Sequence, residues 1–303
     1  MGRLAPDSPR SRWTIEALLA QLLDGLIRGL TYVAIAIGLT IVFGMLRLVN
    51  FAHGAFYAIG AYIGLVVAQK AGLISGLLVA PIAVALFAVL LDRFLLRRFY
   101  EKEPTAQILV TFGIALIVEE LLRTIFGGTT QQYPLPPELA GSVHVGPITY
   151  PAYRLIFAAG IILVVSAVWL FLQRTDFGLI VRAGIRDRIM VQLLGGNVKR
   201  ASTIIFALGA ALAGLAGAAA SPIYSVDPQT GFNFLVPSFV VVVIGGLGSF
   251  WGAVIAGILI GELQSLATLW LPQASDVVIY IAMALVLLIR PQGLLGESEV
   301  IRG

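Results

Sequence analysis

The stretch LLAQLLDGLIRGLTYVAIAIGLTIVFGML, Leu18–Leu46, decides the fold. About 20 apolar residues suffice to cross a bilayer. This run is longer and carries only Asp24 and Arg28 as charges. It is too long for the core of a signal peptide and lacks a clear small-x-small cleavage site, so it reads as a retained span. The first 17 residues before it are polar and hold Arg3, Arg10 and Arg12. Eight further apolar stretches follow, near 51–70, 76–96, 105–126, 152–173, 200–220, 233–249, 251–271 and 276–290. Composition agrees: 59% of the 303 residues are hydrophobic and 12% charged, with mean hydropathy +0.96, against about 25% charged in a soluble domain. The expected fold is an all-α polytopic membrane protein of about eight to ten transmembrane helices. Glycine bends or breaks some of them, notably near 51–70 and 233–249.

Charge sets the orientation, because Lys and Arg gather in cytoplasmic loops. The segment Arg174–Arg200 holds Arg174, Arg182, Arg186, Arg188, Lys199 and Arg200, and the loop after the third span holds Arg93, Arg97, Arg98 and Lys102. Both face the cytoplasm on this reading. The loops Gly127–Tyr153 and Ser221–Asn233 contain no Lys or Arg and face outward. The C-terminus falls inside and the N-terminus outside. The net charge of +4 is therefore a membrane-topology signal, with no nucleic acid implied. The proline-rich outward loop reads as ordered irregular structure. Three regions are assigned: a polar tail at 1–17, a membrane domain at 18–290 and a tail at 291–303.

Much chemistry is excluded. There is no cysteine and there are only two histidines, so no disulfide, thiol nucleophile or metal site is expected. No Walker A, His-Glu-x-x-His or Gly-x-Ser-x-Gly pattern occurs. The chain reads as a non-enzyme that needs no cofactor. Charges inside spans are costly and default to functional candidates. Glu119 and Glu120 pair with Arg123, and Asp24 with Arg28, at helical spacing. Glu262 has no partner on its own helix.

Glycine marks two further regions. Gly54, Gly60 and Gly64 in one span are echoed by Gly252, Gly257 and Gly261 in another, a spacing that lets helices approach closely. A duplicated fold with two related halves is the sharper reading of that echo. The run Val240–Gly261, VVVVIGGLGSFWGAVIAGILIG, packs four glycines so tightly that a turn is expected, with Ser249–Trp251 at its tip. The segment Arg174–Arg200 mixes Leu179, Ile180, Ala183, Ile189, Met190, Leu193 and Leu194 with six basic residues. It reads as a short amphipathic helix stopped by Gly195-Gly196. Its apolar face needs either the bilayer surface or a groove in another protein.

The runs Phe43-Gly44, Val49–Gly54, Gly60-Ala61-Tyr62, Arg182-Ala183 to Leu194-Gly195, Ile244–Ser249 with Gly252-Ala253, and Arg290–Leu294 resemble, in that order, the signatures of the branched-chain amino acid permeases of bacterial ABC importers, within the LivH/LivM family its LivH-type members. Ile189, where relatives often carry an acidic residue, and Gly231-Phe232 depart from the pattern. The resemblance implies a multi-pass subunit in the bacterial cytoplasmic membrane that translocates Leu, Ile and Val. Its implied partners are a second related permease, two cytoplasmic ATPases, and a periplasmic or lipid-anchored solute-binding protein. It makes Arg182, Ala183, Gly184, Arg186, Asp187, Met190, Leu194 and Gly195 the coupling residues toward the ATPases. The translocation path is sought at Asn50, Phe51, His53, Gly54 and Tyr57 and in the turn Gly245, Gly246, Gly248 and Ser249. Urea, short amides or aromatic acids are alternative cargoes, and a carrier or channel acting alone is the alternative machine.

Overall fold

The computed structural model describes residues 15–296 other than 101 and 134. Most of the N-terminal tail and the end of the C-terminal tail lie outside the described residues. In chain order the helices are α1 (Ile15–Leu46), α2 (Ala52–Ala71), α3 (Leu73–Phe94), α4 (Pro104–Phe126), α5 (Ala152–Arg174), α6 (Asp176–Arg186), α7 (Arg188–Leu193), α8 (Val198–Tyr224), α9 (Thr230–Gly245), α10 (Phe250–Trp270) and α11 (Ser275–Ile289). Each of the nine apolar stretches becomes one helix, from 15 to 32 residues long. A bilayer leaves the backbone no other way to satisfy its polar groups within one segment. Seven of these helices are long and apolar enough to cross a membrane. The other two are α4, with its glutamates and Arg123 near one end, and α9, which has only 16 residues.

Helix α1 is the axis of the bundle. Its most apolar window is 89% buried, against 11% for the span containing α11. It packs on α10, α8 and α9, while α2 packs on α8 and α3. Small residues make these contacts, because lipid supplies no hydrophobic drive between helices and close packing must. Gly29 of α1 faces Gly257 and Gly261 of α10, and Gly38 faces Gly209 of α8. Gly60 of α2 lies so close to Gly214 of α8 that a Cβ would stand 2.2 Å from the Gly214 carbonyl oxygen.

The glycine echo has a packing basis. The leading Gly54 meets Gly231 at the start of α9, and the leading Gly252 meets Gly245 at its end. The short α9 thus bridges α2 and α10. The expected break in α2 is absent: it runs unbroken for 20 residues, because its glycines are spent on contacts with α8 and α9.

Loops expected on one side do meet. Gln131 and Val226, from the two loops free of Lys and Arg, exchange backbone hydrogen bonds of 2.7 and 3.0 Å. At the other end Arg97, in the loop after α3, donates to Thr203 of α8 (2.5 Å), and Thr203 donates to Asp92 of α3 (2.7 Å), tying these helices together beside the basic loops. The proline-rich loop is more regular than expected. It contains an antiparallel hairpin, β1 (Ser142–Val145) and β2 (Ile148–Pro151), turned at Gly146.

The expected turn after α9 is present, but it runs from Gly246 to Ser249, with Phe250 and Trp251 already in the first turn of α10 rather than at the tip, and it has a partner the sequence did not suggest. Gly246 and Gly248 adopt φ of 102° and 84°, a region glycine enters without steric cost. The segment Arg290–Gly296 folds back on this turn. Leu294 and Leu295 donate to the carbonyls of Ile244 and Gly245 at 2.7 and 3.0 Å, pairing helix-end carbonyls that α9 cannot pair itself. The late glycine run and the C-terminal run are one structural unit.

Candidate functional site

At the basic end the segment after α5 forms two helices where one was expected. Thr175 caps α6, its Oγ1 accepting from the Gly178 amide at 3.0 Å. Asp187 interrupts the helix and caps α7, its Oδ1 accepting from the Met190 amide at 2.9 Å. Such caps satisfy helix-start amides that have no intrahelical partner. Gly195 (φ 82°) ends the unit, and the Gly196 amide donates to Val191 at 2.9 Å. Val181 and Val191 are buried, and Gly184 packs on Met45 of α1. Ile189, Met190, Leu193 and Leu194 stand outward, Leu194 80% exposed.

The expected coupling residues therefore divide. Arg186, Asp187, Met190, Leu194 and Gly195 lie on the outer surface. Ala183 and Gly184 hold the unit to the bundle. Arg182 turns inward and lines a cavity of about 180 Å³ between α1, α5, α6 and the start of α10.

The expected path residues divide too. Asn50, His53 and Tyr57 are buried in the core. The Asn50 Oδ1 accepts from the Ala52 amide at 3.1 Å, starting α2, and the His53 Nε2 lies 3.1 Å from the Ile35 carbonyl. Phe51 and Gly54 line a cavity of about 10 Å³ with Glu119 and Leu235, room for about one water. Gly248 instead lines the larger cavity with Arg182, Gly245 packs on Gly252, Gly246 meets the C-terminal segment, and Ser249 caps α10 through the Gly252 amide at 3.2 Å. The two sets of path residues do not meet in one site.

The end opposite the basic loops holds a cluster that single-helix spacing concealed. Asp24 pairs with Arg154 of α5 and accepts from the Tyr150 hydroxyl at 2.7 Å; the expected Asp24–Arg28 pair is not what the fold builds. Tyr32 donates to Gln264, and Gln264 to Asp276, both at 2.7 Å. Tyr57 and Tyr224 place their rings 5.0 and 5.1 Å from Phe234, and Tyr32 closes the group at 6.3 Å. Tyr57 and the Asp24/Arg28 charges were the signals available in sequence. The pairs Glu119–Arg123 (2.9 Å) and Glu120–Arg123 (3.7 Å) form as spaced. Glu262 packs on Gly25 of α1. No cluster of three or more His, Cys, Asp or Glu is placed to hold a metal among the described residues.

Outside the spans, burial pushes the phenol of Tyr133 up to about 12, and its hydroxyl donates to the Gly64 carbonyl at 3.1 Å. Burial and the bond to Asp92 push Tyr100 up.

The family model described as "Branched-chain amino acid transport system / permease component" matches residues 21–287, nearly the whole helical bundle. The chain belongs to this permease family. It is similar to the high-affinity branched-chain amino acid transport system permease protein LivH of Escherichia coli, at 30% identity over 93% of this chain and 96% of that one. It is similar to BraD of Pseudomonas aeruginosa at 29% over 93% and 97%, and to E. coli LivM at 30% over 88% and 68%. This permease is thus a multi-pass transport component and not an enzyme.

Proposed function

We propose that this permease is the membrane-spanning subunit of a binding-protein-dependent ABC importer for leucine, isoleucine and valine in the bacterial cytoplasmic membrane. The observation that carries the reading is the family match across 21–287, with relatives named for branched-chain amino acid transport over nearly their full length. In E. coli both LivH and LivM bear that name, which supports pairing with a second, related permease. The basic end is cytoplasmic on this reading, and with it the Arg290–Gly296 segment.

The unit α6–α7 is the coupling element. Its inner face is fixed to α1 through Gly184, with Val181 and Val191 buried beneath it, and its outer face offers Ile189, Met190, Leu193 and Leu194 to an ATPase groove. Closure of two ATPases would move α6–α7 as a body and, through α1, shift the bundle between outward and inward access. A solute-binding protein would deliver cargo to the opposite end. There the aromatic group around Phe234, with Arg28 one helical turn from its Tyr32 on α1, suits an apolar side chain beside a carboxylate. Asn50, Phe51, His53 and Gly54 would border the route along α2.

The test is co-purification from native membranes followed by uptake of labelled leucine. The unmodified chain should bring ATPase subunits and a second permease. Replacing both Leu193 and Leu194 with Asp should strip the ATPases and abolish uptake while leaving the second permease bound. Met190→Pro, which removes the amide that Asp187 caps, should act in the same direction. ATPases retained by the double Asp variant would sink the coupling assignment, and uptake of urea or an aromatic acid in place of leucine would reassign the cargo.

A further inference from the structure

The cavity of about 180 Å³ at the basic end contains two orphaned polar atoms. The Arg182 Nη1 and the Thr40 Oγ1 are both buried and have no hydrogen-bond partner among the described residues, and both residues line the same space. None of the lining residues is acidic. A guanidinium held in a protein interior is stable when an anion meets it, and its fork suits phosphate oxygens. Thr40 adds a hydroxyl from the opposite wall on α1.

The surroundings favour one source for that anion. The rim carries Trp169 of α5 and Trp251 of α10, their rings 6.0 Å apart and edge to face. Trp251 is 51% exposed, so the cavity opens outward between these helices. Tryptophan is enriched at the level of lipid headgroups. From that rim toward the other end, Ile162 and Leu163 of α5 and Ile255 and Leu259 of α10 are exposed, an apolar strip fit for acyl chains. Basic pockets between spans on the cytoplasmic side receive anionic headgroups.

We infer that this cavity binds the phosphate of an anionic phospholipid, with Arg182 and Thr40 as its ligands and the two tryptophans at the glycerol level. A lipid there would tie α6 to α1, α5 and α10 at one point, so that the coupling element is held by a lipid as well as by protein.

The test is native mass spectrometry of the full chain in a non-ionic detergent, with dioleoyl phosphatidylglycerol or dioleoyl phosphatidylcholine added at equal concentration. Phosphatidylglycerol adducts should exceed phosphatidylcholine adducts about fivefold, and Arg182→Gln should erase the preference. Inorganic phosphate is the competing probe. If phosphatidylglycerol remains bound in its presence, the site takes the lipid; if phosphate displaces it, free phosphate is the occupant and the lipid assignment falls. A photoreactive phosphatidylglycerol on the unmodified chain keeps the question decidable should Arg182→Gln not fold: label belongs on peptides 163–182 and 248–259. Equal binding of the two lipids, an unchanged preference in Arg182→Gln, or label confined to other helices overturns the inference.

Discussion

Tyr133 shows what one side chain does at the outer end. Its hydroxyl ties the loop after α4 to the Gly64 carbonyl, and burial moves its titration from 10.0 to about 12. A raised value in the folded state means the neutral phenol is favoured there. Its contribution is therefore complete below pH 10.0 and lost as pH climbs toward about 12. The melting temperature in detergent should fall more steeply across that window for the native chain than for Tyr133→Phe; parallel curves would refute the tie. The partners of single residues were the least legible part of the sequence. Asp24 and Arg28 are correctly spaced for a pair on one helix, yet α5 brings Arg154 closer, and only tertiary packing decides between them. Arg182 was expected among the coupling residues facing the ATPases, and the orientation of α6 against α1 turns it into a cavity instead.

Among the elements, the long helices were legible to within about four residues at their ends, because in a bilayer an apolar run and a helix are nearly the same statement. The closure of α9 by the C-terminal segment was not. Its bonds join backbone to backbone and leave no side-chain signature beyond glycines that a turn alone would explain. Gly293 sits at φ 79°, and a Cβ there would stand 2.6 Å from the Gly246 nitrogen. Gly293→Ala should therefore cost at least the roughly 1–2 kcal/mol of a left-handed non-glycine residue. Hydrogen exchange should show lost protection at the Leu294 and Leu295 amides. Full protection retained in the variant would mean the closure does not depend on that glycine.

At the scale of the molecule, the bundle stands on backbone approaching backbone. Gly60 and Gly113 give the sharpest contrast. A Cβ on Gly60 would collide with α8, whereas one on Gly113 of α4 meets nothing within 4 Å. Gly113→Ala should stabilise by up to about 1 kcal/mol through helix propensity. Gly60→Ala should destabilise by about 1–3 kcal/mol, as overpacked cores do. Thermal unfolding in detergent should separate the two in sign; a stabilised Gly60→Ala would show that α2 and α8 are free to part. The residues that fill this core were readable as small and apolar, but which helix meets which was not, since every apolar helix except α11 offers glycine.

The fold-back of Arg290–Gly296 onto α9 also orders events during synthesis. The last carbonyls of α9 wait for amides that leave the ribosome after α10 and α11 have been made. The basic end of the bundle is thus sealed only after α10 and α11 are in place, and a nascent chain stalled before Leu294 would present an unfinished end to the insertion machinery.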